Sequence, residues 1–480
     1  MIDTQAIRNK VLDLAMRGQL TEQLLEDGTA DELYQQIQEE KQILIKEGRI
    51  KKEKVQDETK TAQYNIPKNW KWVIFSSIIT LQSGQDLKQE EYNSDKRGIP
   101  YLTGASNFDE KGQLIINRWT EYPKNIAIAN DVLLSCKGTV GKLAILSVDR
   151  VHIARQFMAI RAYKSDVRFV MYYMQSIINN LKKVSKGLIP GIERNDVLKL
   201  QMPLPPSAEQ KRIVEKLDQT FSTLDAIDEL QSKYSDNRSV LKSKLIDAAI
   251  QGKLTEQLPE DGTAEEYIKA LGVRKKRIEE SGVLKGRKKK TILPIEQGEK
   301  PFEIPKTWNW IRLGSVVEIF GRIGFRGYTK NDIVNKGQGA LSLSPSNITK
   351  EGQIVFDKNT YISWEKYEES PEIKVEEEDL LIVKTGSSYG KAAIIQSLPE
   401  KATINPQLAI MKYVLCDRYY LHYVLSSSMA YRQYEKFVVG AATPTFSQED
   451  LANFVLPLPP LAEQMRIVAG LDEILKLIEI

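Results

Sequence analysis

The most regular pattern of apolar and polar positions lies in the middle of the chain, over residues 207–251. Its apolar residues follow one another at steps of three or four, with a single step of seven: Val214, Leu217, Phe221, Leu224, Ile227, Leu230, Tyr234, Leu241, Leu245 and Ala248. Pro205 and Pro206 stop whatever precedes the pattern, Ser207 can cap its start, and Gly252 can end it. The pattern predicts one long amphipathic helix with a coiled-coil-like stripe.

A second copy of this helical pattern is divided between the two ends of the chain. Residues 461–480 match 207–226, and residues 1–17 match 235–251, so only about eight equivalent positions are missing. Two apolar stripes are buried most simply by packing the two helices against each other. We expect an antiparallel arrangement if a pseudo-twofold axis relates the copies.

The repetition extends to the whole chain. Four blocks recur in the same order: 18–30 as 252–264, 66–72 as 304–310, 141–142 as 390–391, and 204–210 as 458–464. The offset between copies grows from 234 to 254, so the second copy carries small insertions. A repeat of about half the chain is too long for a solenoid, and each copy is expected to be a domain with its connectors.

Between the repeated blocks, short β-like runs alternate with turns and are followed by helical patterns. Strands are predicted at 132–134, 143–146, 380–383 and 392–395, and helices at 167–180 and 418–437. The fold class is therefore α/β (α+β), with two globular domains separated by long antiparallel coiled-coil-like helices in a pseudo-twofold tandem repeat. The predicted division of the chain is the distal half of the second helix (1–20), a connector (21–64), the first domain (65–206), the central helix (207–252), a basic connector (253–302), the second domain (303–460) and the proximal half of the second helix (461–480).

Composition narrows the class of protein further. The chain has 480 residues, of which 41% are hydrophobic and 28% charged, as in ordinary globular proteins. It has no apolar run of about 20 residues, and its first residues do not predict a signal peptide, so no membrane role is expected. Two cysteines and two histidines exclude a disulfide framework and most zinc sites, so no metal is predicted and a cytoplasmic location is expected. The net charge is +4, but residues 65–206 carry +8 and residues 303–460 carry −1.

Several motifs match catalytic or nucleotide-binding patterns only in part. Residues 385–391 have three residues between the glycines of a phosphate loop, where four are needed. Gln407 interrupts an Asn-Pro motif of adenine methyltransferases, and the glycine loop at 320–325 has no counterpart in the first copy. No catalytic residue is predicted, which argues against an enzyme. The turns that carry Lys142 and Lys391 can still bind an anion through backbone N–H groups.

Taken together, the repeated blocks resemble the specificity subunit of type I restriction–modification systems. The resemblance rests on two Ile-Pro-x-x-Trp-x-Trp blocks, two Pro-Leu-Pro-Pro-x-x-Glu-Gln-x-Arg-Ile-Val blocks and two Gly-x-Leu-Thr helix ends. These blocks lie at 66–72 and 304–310, at 203–214 and 457–468, and at 18–21 and 252–255. They cover nearly the whole chain.

The resemblance implies that each domain is a target recognition domain that reads one part of a split double-stranded DNA sequence. It also implies that the long helices hold the two domains apart and set the distance between the two parts. The chain would be a non-catalytic subunit that docks two modification subunits, which methylate adenine with S-adenosylmethionine. Restriction subunits, which use ATP and Mg, would join them. No cofactor is expected in this chain itself.

Candidate contact residues follow from this interpretation. Residue types that suit bases or phosphates, in turns and presumed variable loops, are the DNA-binding candidates: Gln85, Lys88, Asn107, Lys142, Arg155, Gln156, Arg322, Arg326, Tyr328, Asn347, Ser387, Tyr389, Lys391 and Gln407. The matching starts of the two long helices are the partner-docking candidates: Glu209, Gln210, Arg212, Glu463, Gln464 and Arg466.

Two other interpretations remain open at this stage. The duplicated domains could bind protein or carbohydrate, with the helices as a scaffold and no nucleic-acid role. A standalone methyltransferase or nuclease fusion would need the motifs that are incomplete here. A steep salt dependence of binding to random duplex DNA separates a DNA-binding protein from the first alternative.

Overall fold

The computed structural model describes residues 1–51, 64–109, 112–184, 191–282, 284, 290–322, 327–440 and 443–479. Two compact units are present, Met1–Lys233 and Tyr234–Ile480, which we call the first and the second unit. Their boundary falls inside one continuous helix, Ser207–Ile250. Within the described residues, no helix combines the length and the apolar composition that crossing a membrane requires.

The first unit contains most of its helices at its two ends and its strands between them. Its helices are α1 (Thr4–Met16), α2 (Ala30–Lys46), α3 (Phe75–Ile78), α4 (Val167–Val184), α5 (Arg194–Leu198) and the first part of α6 (Ser207–Ile250). Its strands are β1 (Lys71–Ile74), β2 (Ile79–Ser83), β3 (Ile99–Leu102), β4 (Trp119–Thr120), β5 (Ile126–Ile128), β6 (Val132–Ser135), β7 (Leu143–Ile145), β8 (Arg150–Ile153), β9 (Phe157–Ala162) and β10 (Gln201–Leu204).

The second unit repeats this plan. Its helices are the rest of α6, α7 (Ala264–Glu280), α8 (Trp364–Glu368), α9 (Arg418–Leu425), α10 (Ser428–Phe437), α11 (Gln448–Ala452) and α12 (Leu461–Glu479). Its strands are β11 (Asn309–Arg312), β12 (Glu318–Phe320), β13 (Ile333–Val334), β14 (Gly339–Leu343), β15 (Tyr361–Ser363), β16 (Lys374–Val375), β17 (Leu380–Val383), β18 (Ala392–Ile394), β19 (Ala402–Ile404), β20 (Leu408–Lys412) and β21 (Val455–Leu458). The helix expected over 418–437 is interrupted at Ser426 and Ser427, and the Ser427 side chain caps α10.

Within the described residues, each unit has two sheets and one separate strand pair. In the first unit the strand orders are β2-β9-β6-β7, which is antiparallel, and β4-β3-β8-β5, in which β3 and β8 are parallel. In the second unit they are β12-β20-β17-β18 and β13-β15-β14-β19-β16, with β14 and β19 parallel. The separate pairs, β1-β10 and β11-β21, join the repeated blocks at the two ends of each domain, with Trp72 opposite Pro203 and Trp310 opposite Pro457.

The apolar runs of the sequence form the middle strands, which are buried on both faces. In β6, Val132 and Leu134 face the cluster shared with the helices, whereas Leu133 belongs to the cluster between the sheets. In β17, Leu380 and Leu381 divide between two clusters in the same way. Burial on both faces explains why these strands are uniformly apolar instead of alternating.

The ends of the chain pack on the long helix within each unit. α1 is antiparallel to the first part of α6, because Thr4 donates a hydrogen bond to Asp228 at 2.6 Å while Arg8 pairs with Asp225 at 2.7 Å. The apolar stripe loses its cover beyond α1, and Leu230 is 65% exposed. In the second unit, α12 and α6 share one buried cluster that contains Ile467, Leu471, Leu475, Ile246, Ala249 and Ile250.

Two segments that we expected to be connectors contain packed helices. Thr29 and Thr263 cap α2 and α7 by accepting hydrogen bonds from the backbone. The buried ammonium of Lys41 donates to two backbone carbonyls at 2.7 Å, and Lys275 donates to the Gly314 carbonyl at 2.7 Å. These helices are therefore parts of the domains, and their basic residues serve the fold as well as the surface.

Candidate nucleic-acid interface

In the first unit, several predicted contact residues lie at one edge of the sheet, where β6 ends and β9 begins. The backbone N–H of Cys136 donates to the Gln156 carbonyl at 2.8 Å, and the backbone N–H of Gln85 donates to the Ile153 carbonyl at 2.9 Å. These two bonds bring three separate loops together. Gln85, Arg155 and Gln156, which are distant in sequence, therefore share one edge.

The side chains at this edge differ in what they can offer a ligand. Gln85 and Lys88 are exposed. The Arg155 guanidinium is also exposed but forms an ion pair with Asp86 at 2.8 Å. The Oε1 atom of Gln156 is buried and has no hydrogen-bond partner among the described residues. The edge thus combines free surface groups with one buried acceptor.

Ser135 fixes the glycine turn that carries Lys142. Its Oγ accepts a hydrogen bond from the Lys142 N–H and donates one to the Thr139 carbonyl, both at 2.8 Å. Gly141 has a φ of +92°, and a Cβ there would lie 2.7 Å from a side-chain carbon of Ile178, so the turn requires glycine. The backbone of Lys142 thus lies at the same end of β6 as the Gln156 loop, and its ammonium lies 5.4 Å from the centre of the Phe108 ring.

The second unit builds the corresponding edge from its own loops. The Gln407 carbonyl accepts hydrogen bonds from the N–H groups of Lys384 at 2.8 Å and Thr385 at 3.3 Å. The Thr385 hydroxyl lies 2.7 Å from the Thr445 hydroxyl, which ties the turn to the segment after α10. The turn carries three further candidates, the exposed Ser387 and the half-buried Tyr389 and Lys391.

Two of the predicted base readers, Asn107 and Asn347, are structural residues. They occupy equivalent loops and are 0% and 1% exposed. Asn107 Oδ1 accepts from the Thr103 N–H at 2.7 Å, and its Nδ2 donates to the Ile115 carbonyl at 2.8 Å. Asn347 makes the equivalent two bonds within its own loop, both at 2.9 Å. Because the oxygen and the nitrogen of each amide are hydrogen-bonded within the loop, neither side chain is available to a base. Neither residue therefore belongs to the interface.

Arg322 is likewise turned inward. Its side chain is 5% exposed, and its guanidinium donates to the Ile404 carbonyl and the Thr403 hydroxyl, both at 3.1 Å. The ring of half-buried Tyr328 lies 5.5 Å from this guanidinium. Arg322 therefore holds the loop after β12 in place, and its prediction as a DNA-binding residue is wrong. Arg326 lies outside the described residues.

His152 also holds a loop in place in the first unit, although no sequence motif marks it. Its Nδ1 accepts from the N–H groups of Lys124 and Asn125 at 3.2 Å, so Nε2 carries the proton and donates to the Gln85 carbonyl at 2.8 Å. Burial lowers the pKa of this imidazole. The loop of the candidate Gln85 is thus positioned by a neutral histidine.

The predicted docking residues form an internal clamp in each unit. The Glu209 carboxylate accepts hydrogen bonds from the Trp70 indole at 2.7 Å, the Gln23 amide at 2.7 Å and the Thr21 hydroxyl at 3.2 Å. Glu463 accepts the same three kinds of bond from Trp308, Gln257 and Thr255. The clamp therefore explains why the three repeated blocks occur together in both copies.

The neighbouring glutamines and arginines complete the clamp. Gln210 accepts from the Asp166 N–H at 2.8 Å and donates to the Pro205 carbonyl at 3.0 Å, and Gln464 forms the equivalent bonds. Arg212 makes a two-pronged pair with Asp27, whose pKa the hydrogen bonds lower. Arg466 and Asp261 repeat this pair.

Burial corrects the docking assignment. Glu209, Gln210 and Gln464 are 0% exposed and Glu463 is 1% exposed, so none of these four can form a surface for a partner. Arg212 and Arg466 are partly exposed, but their guanidinium groups are occupied by the carboxylates. The six residues hold each domain to its long helix.

The fold and these loops define a class of protein, a duplicated binding protein in which two copies of one α/β domain each present polar loops at a sheet edge. No group of three or more potential metal ligands occurs within the described ranges. The family described as "Type I restriction modification DNA specificity domain" matches residues 67–233 and 305–480. The chain belongs to this family, whose members supply DNA recognition and not catalysis.

Named relatives agree with the family. The chain is 25% identical to the type I restriction enzyme EcoAI specificity subunit of Escherichia coli, over 98% of this chain and 88% of that protein. It is 23% identical to the EcoEI specificity subunit of the same organism, over 98% and 89%. A solved structure described as the structural basis of complex assembly and conformational transition of the type I R-M system matches 87% of this chain and 92% of its own, with a TM-score of 0.57 and 20% identity. This last likeness shows the fold.

Proposed function

We propose that this chain is the DNA-binding specificity subunit of a type I restriction–modification complex and that it recognises a split double-stranded target. The observation that carries the proposal is the duplicated edge: Gln156 and Gln407 occupy equivalent positions, each beside a glycine turn that bears a lysine. One protein with two such edges suits a target with two specific parts. Each unit would read one part.

The chemistry of the edges suits duplex DNA. Lysine and arginine side chains such as Lys88 and Lys142 would contact phosphates and set the register. Glutamines such as Gln85 can donate to and accept from adenine in the major groove. The first domain, with a charge of +8, would supply most of the electrostatic attraction, and the second domain, with −1, would depend more on individual side chains.

The chain would act with partners that supply the chemistry. In the proposal it docks two modification subunits, which use S-adenosylmethionine, and restriction subunits, which use ATP and Mg, in the cytoplasm. Since the clamp residues are buried or paired within their own unit, the docking surface in this proposal belongs to the exposed side chains of the long helix. Leu230 and Leu241 are 65% and 45% exposed there and would supply apolar area to such a surface.

Selection of binding sites from a random DNA pool by the full chain tests the proposal. The expected result is two short specific sequences separated by a spacer without base preference, and affinity that falls steeply with salt. Binding without sequence preference, or no binding to DNA at low salt, would overturn it. A carbohydrate- or protein-binding scaffold would give the second result.

A further inference from the structure

Lys384 stands out in the second unit because its side chain is half-buried and has no partner among the described residues. It follows β17 directly and lies inside the loop cluster of the second edge. No hydrogen bond or ion pair joins its ammonium to any described residue, and burial, with no carboxylate to offset it, lowers its pKa. A half-buried ammonium group gains from an added acceptor, so this side chain can donate hydrogen bonds to a ligand.

The backbone around Lys384 is fixed on both sides. Its N–H donates to the Gln407 carbonyl at 2.8 Å, and its carbonyl accepts from the Phe446 N–H at 3.1 Å. Thr385 continues the same attachment through its hydroxyl contact with Thr445 at 2.7 Å. The lysine therefore leaves the framework at a defined point beside Gln407, unlike the exposed lysines of the surface.

The first unit has the same framework with a different residue. Cys136 takes the equivalent place, because its N–H donates to the Gln156 carbonyl at 2.8 Å just as that of Lys384 does to Gln407. The Cys136 thiol is 1% exposed and lies 3.6 Å from the Arg155 carbonyl. A position with a shared backbone and a changed side chain is suited to make the two domains read different bases.

We propose that Lys384 determines specificity in the second domain by donating hydrogen bonds to a guanine edge in the major groove. The inference rests on the proposed function. An ammonium group has three donors and no acceptor, and guanine is the base that presents two acceptors, O6 and N7, side by side. Phosphate contact alone would be served by exposed lysines, whereas a half-buried lysine at a fixed point discriminates between base edges.

The test compares the full chain with three variants in binding-site selection and in competition with single-base-pair changes. Lys384→Cys introduces the residue of the first copy, which the same framework already accepts, and Lys384→Arg keeps the charge. Lys336→Met, at an exposed lysine of the same unit, is the matched control. Melting curves establish that each variant is folded.

The expected result is that Lys384→Cys loses about tenfold or more of the preference for a G·C pair at one position of one half-site. The other half-site should be unchanged, Lys384→Arg should retain part of the preference, and Lys336→Met should retain all of it. A uniform loss of affinity for all sequences with a smaller salt dependence, or an unchanged preference, would overturn the role of Lys384. If the unmodified chain selects no split sequence, the proposed function itself fails, which is a different outcome.

Discussion

The indole Nε1 of Trp70 donates a hydrogen bond of 2.7 Å to the buried carboxylate of Glu209, so that the start of the first domain is tied to the start of the long helix. Trp308 and Glu463 form the same bond at the same distance in the second copy. The bond connects residues 139 positions apart in the first copy and 155 apart in the second. A contact between such distant segments stabilises the domain as a whole.

Replacing Glu209 by alanine should destabilise the first unit strongly. The change leaves the buried Trp70 indole without its acceptor, at a cost of about 1–3 kcal/mol, and also removes one hydrogen bond from the exposed Gln23 amide. Thermal unfolding followed by calorimetry should show an earlier transition for one unit. Glu215→Ala, at an exposed position of the same helix, is the control and should change little. Equal effects of the two variants would contradict the clamp.

Asn107→Ala and Asn347→Ala should act on stability and not on base preference. Each removes a buried amide that closes a loop with several hydrogen bonds, and about 2 kcal/mol of unfolding free energy should be lost from the unit concerned. Denaturant unfolding and binding-site selection on the same variants measure the two properties. The exposed Asn195→Ala is the control. Unchanged stability together with an altered target would return these residues to the interface.

The unfolding free energy should fall as the pH is lowered through the range in which histidine titrates. Burial lowers the pKa of both His152 and His422 below the value of about 6.5 that applies to the unfolded chain. Below that pH the unfolded state binds more protons than the folded state, so stability decreases. The contribution is complete above about pH 6.5 and is lost as the pH falls toward the folded-state pKa values.

Urea unfolding between pH 8 and pH 5 measures this dependence. His152→Gln should be less stable overall but should show a smaller change with pH, since only His422 then titrates in this range. Stability that is flat between pH 7 and pH 5 would contradict the neutral tautomer assigned to His152.

Lengthening the long helix should change the spacer in the DNA target and leave its specific parts intact. Four residues inserted next to Tyr234 add about 6 Å along the helix axis and rotate the following part by roughly 40°. Two base pairs of DNA occupy a comparable length, about 7 Å. Selection from a random pool should therefore return both original half-sites with a longer spacer.

Two outcomes of that selection would contradict the prediction that the long helix sets the length of the spacer. One is an unchanged spacer, and the other is a change in the half-site bases. The same four residues inserted after Gly48, in an exposed turn, provide the control because they do not lengthen α6. This control should select the original target with the original spacer.

The repeated blocks predicted the duplication and the family, because the residues within each block keep their spacing in both copies, and the period of the apolar positions predicted the long helix. The helix α2 was missed, although Thr29 and Glu32 form a capping pattern that was visible in the sequence. The sequence does not show whether an individual side chain points toward the surface or into the domain. Asn107, Arg322 and Glu209 are polar residues of the kinds that bind ligands, and only contacts with distant segments turn them inward.

A comparison of the two copies also could not show that different residue types hold corresponding loops in place. His152 and Arg322 both hold a loop at the edge of a sheet, but one is a neutral imidazole and the other a guanidinium, and their positions do not align between the copies. Lys384 was overlooked because the first copy has Cys136 there. A position that differs between repeats carries no repeat signal, even when it lies at the centre of the edge.

The clamp in the first unit is made entirely of residues that precede Lys233, and the clamp in the second unit entirely of residues that follow it. A genetic crossover within the codons for the middle of α6 would thus transmit one complete recognition unit and break no clamp. Inheritance could then combine recognition units from different parents in a single step, with each unit folding around the tryptophan and the glutamate that it brings with it.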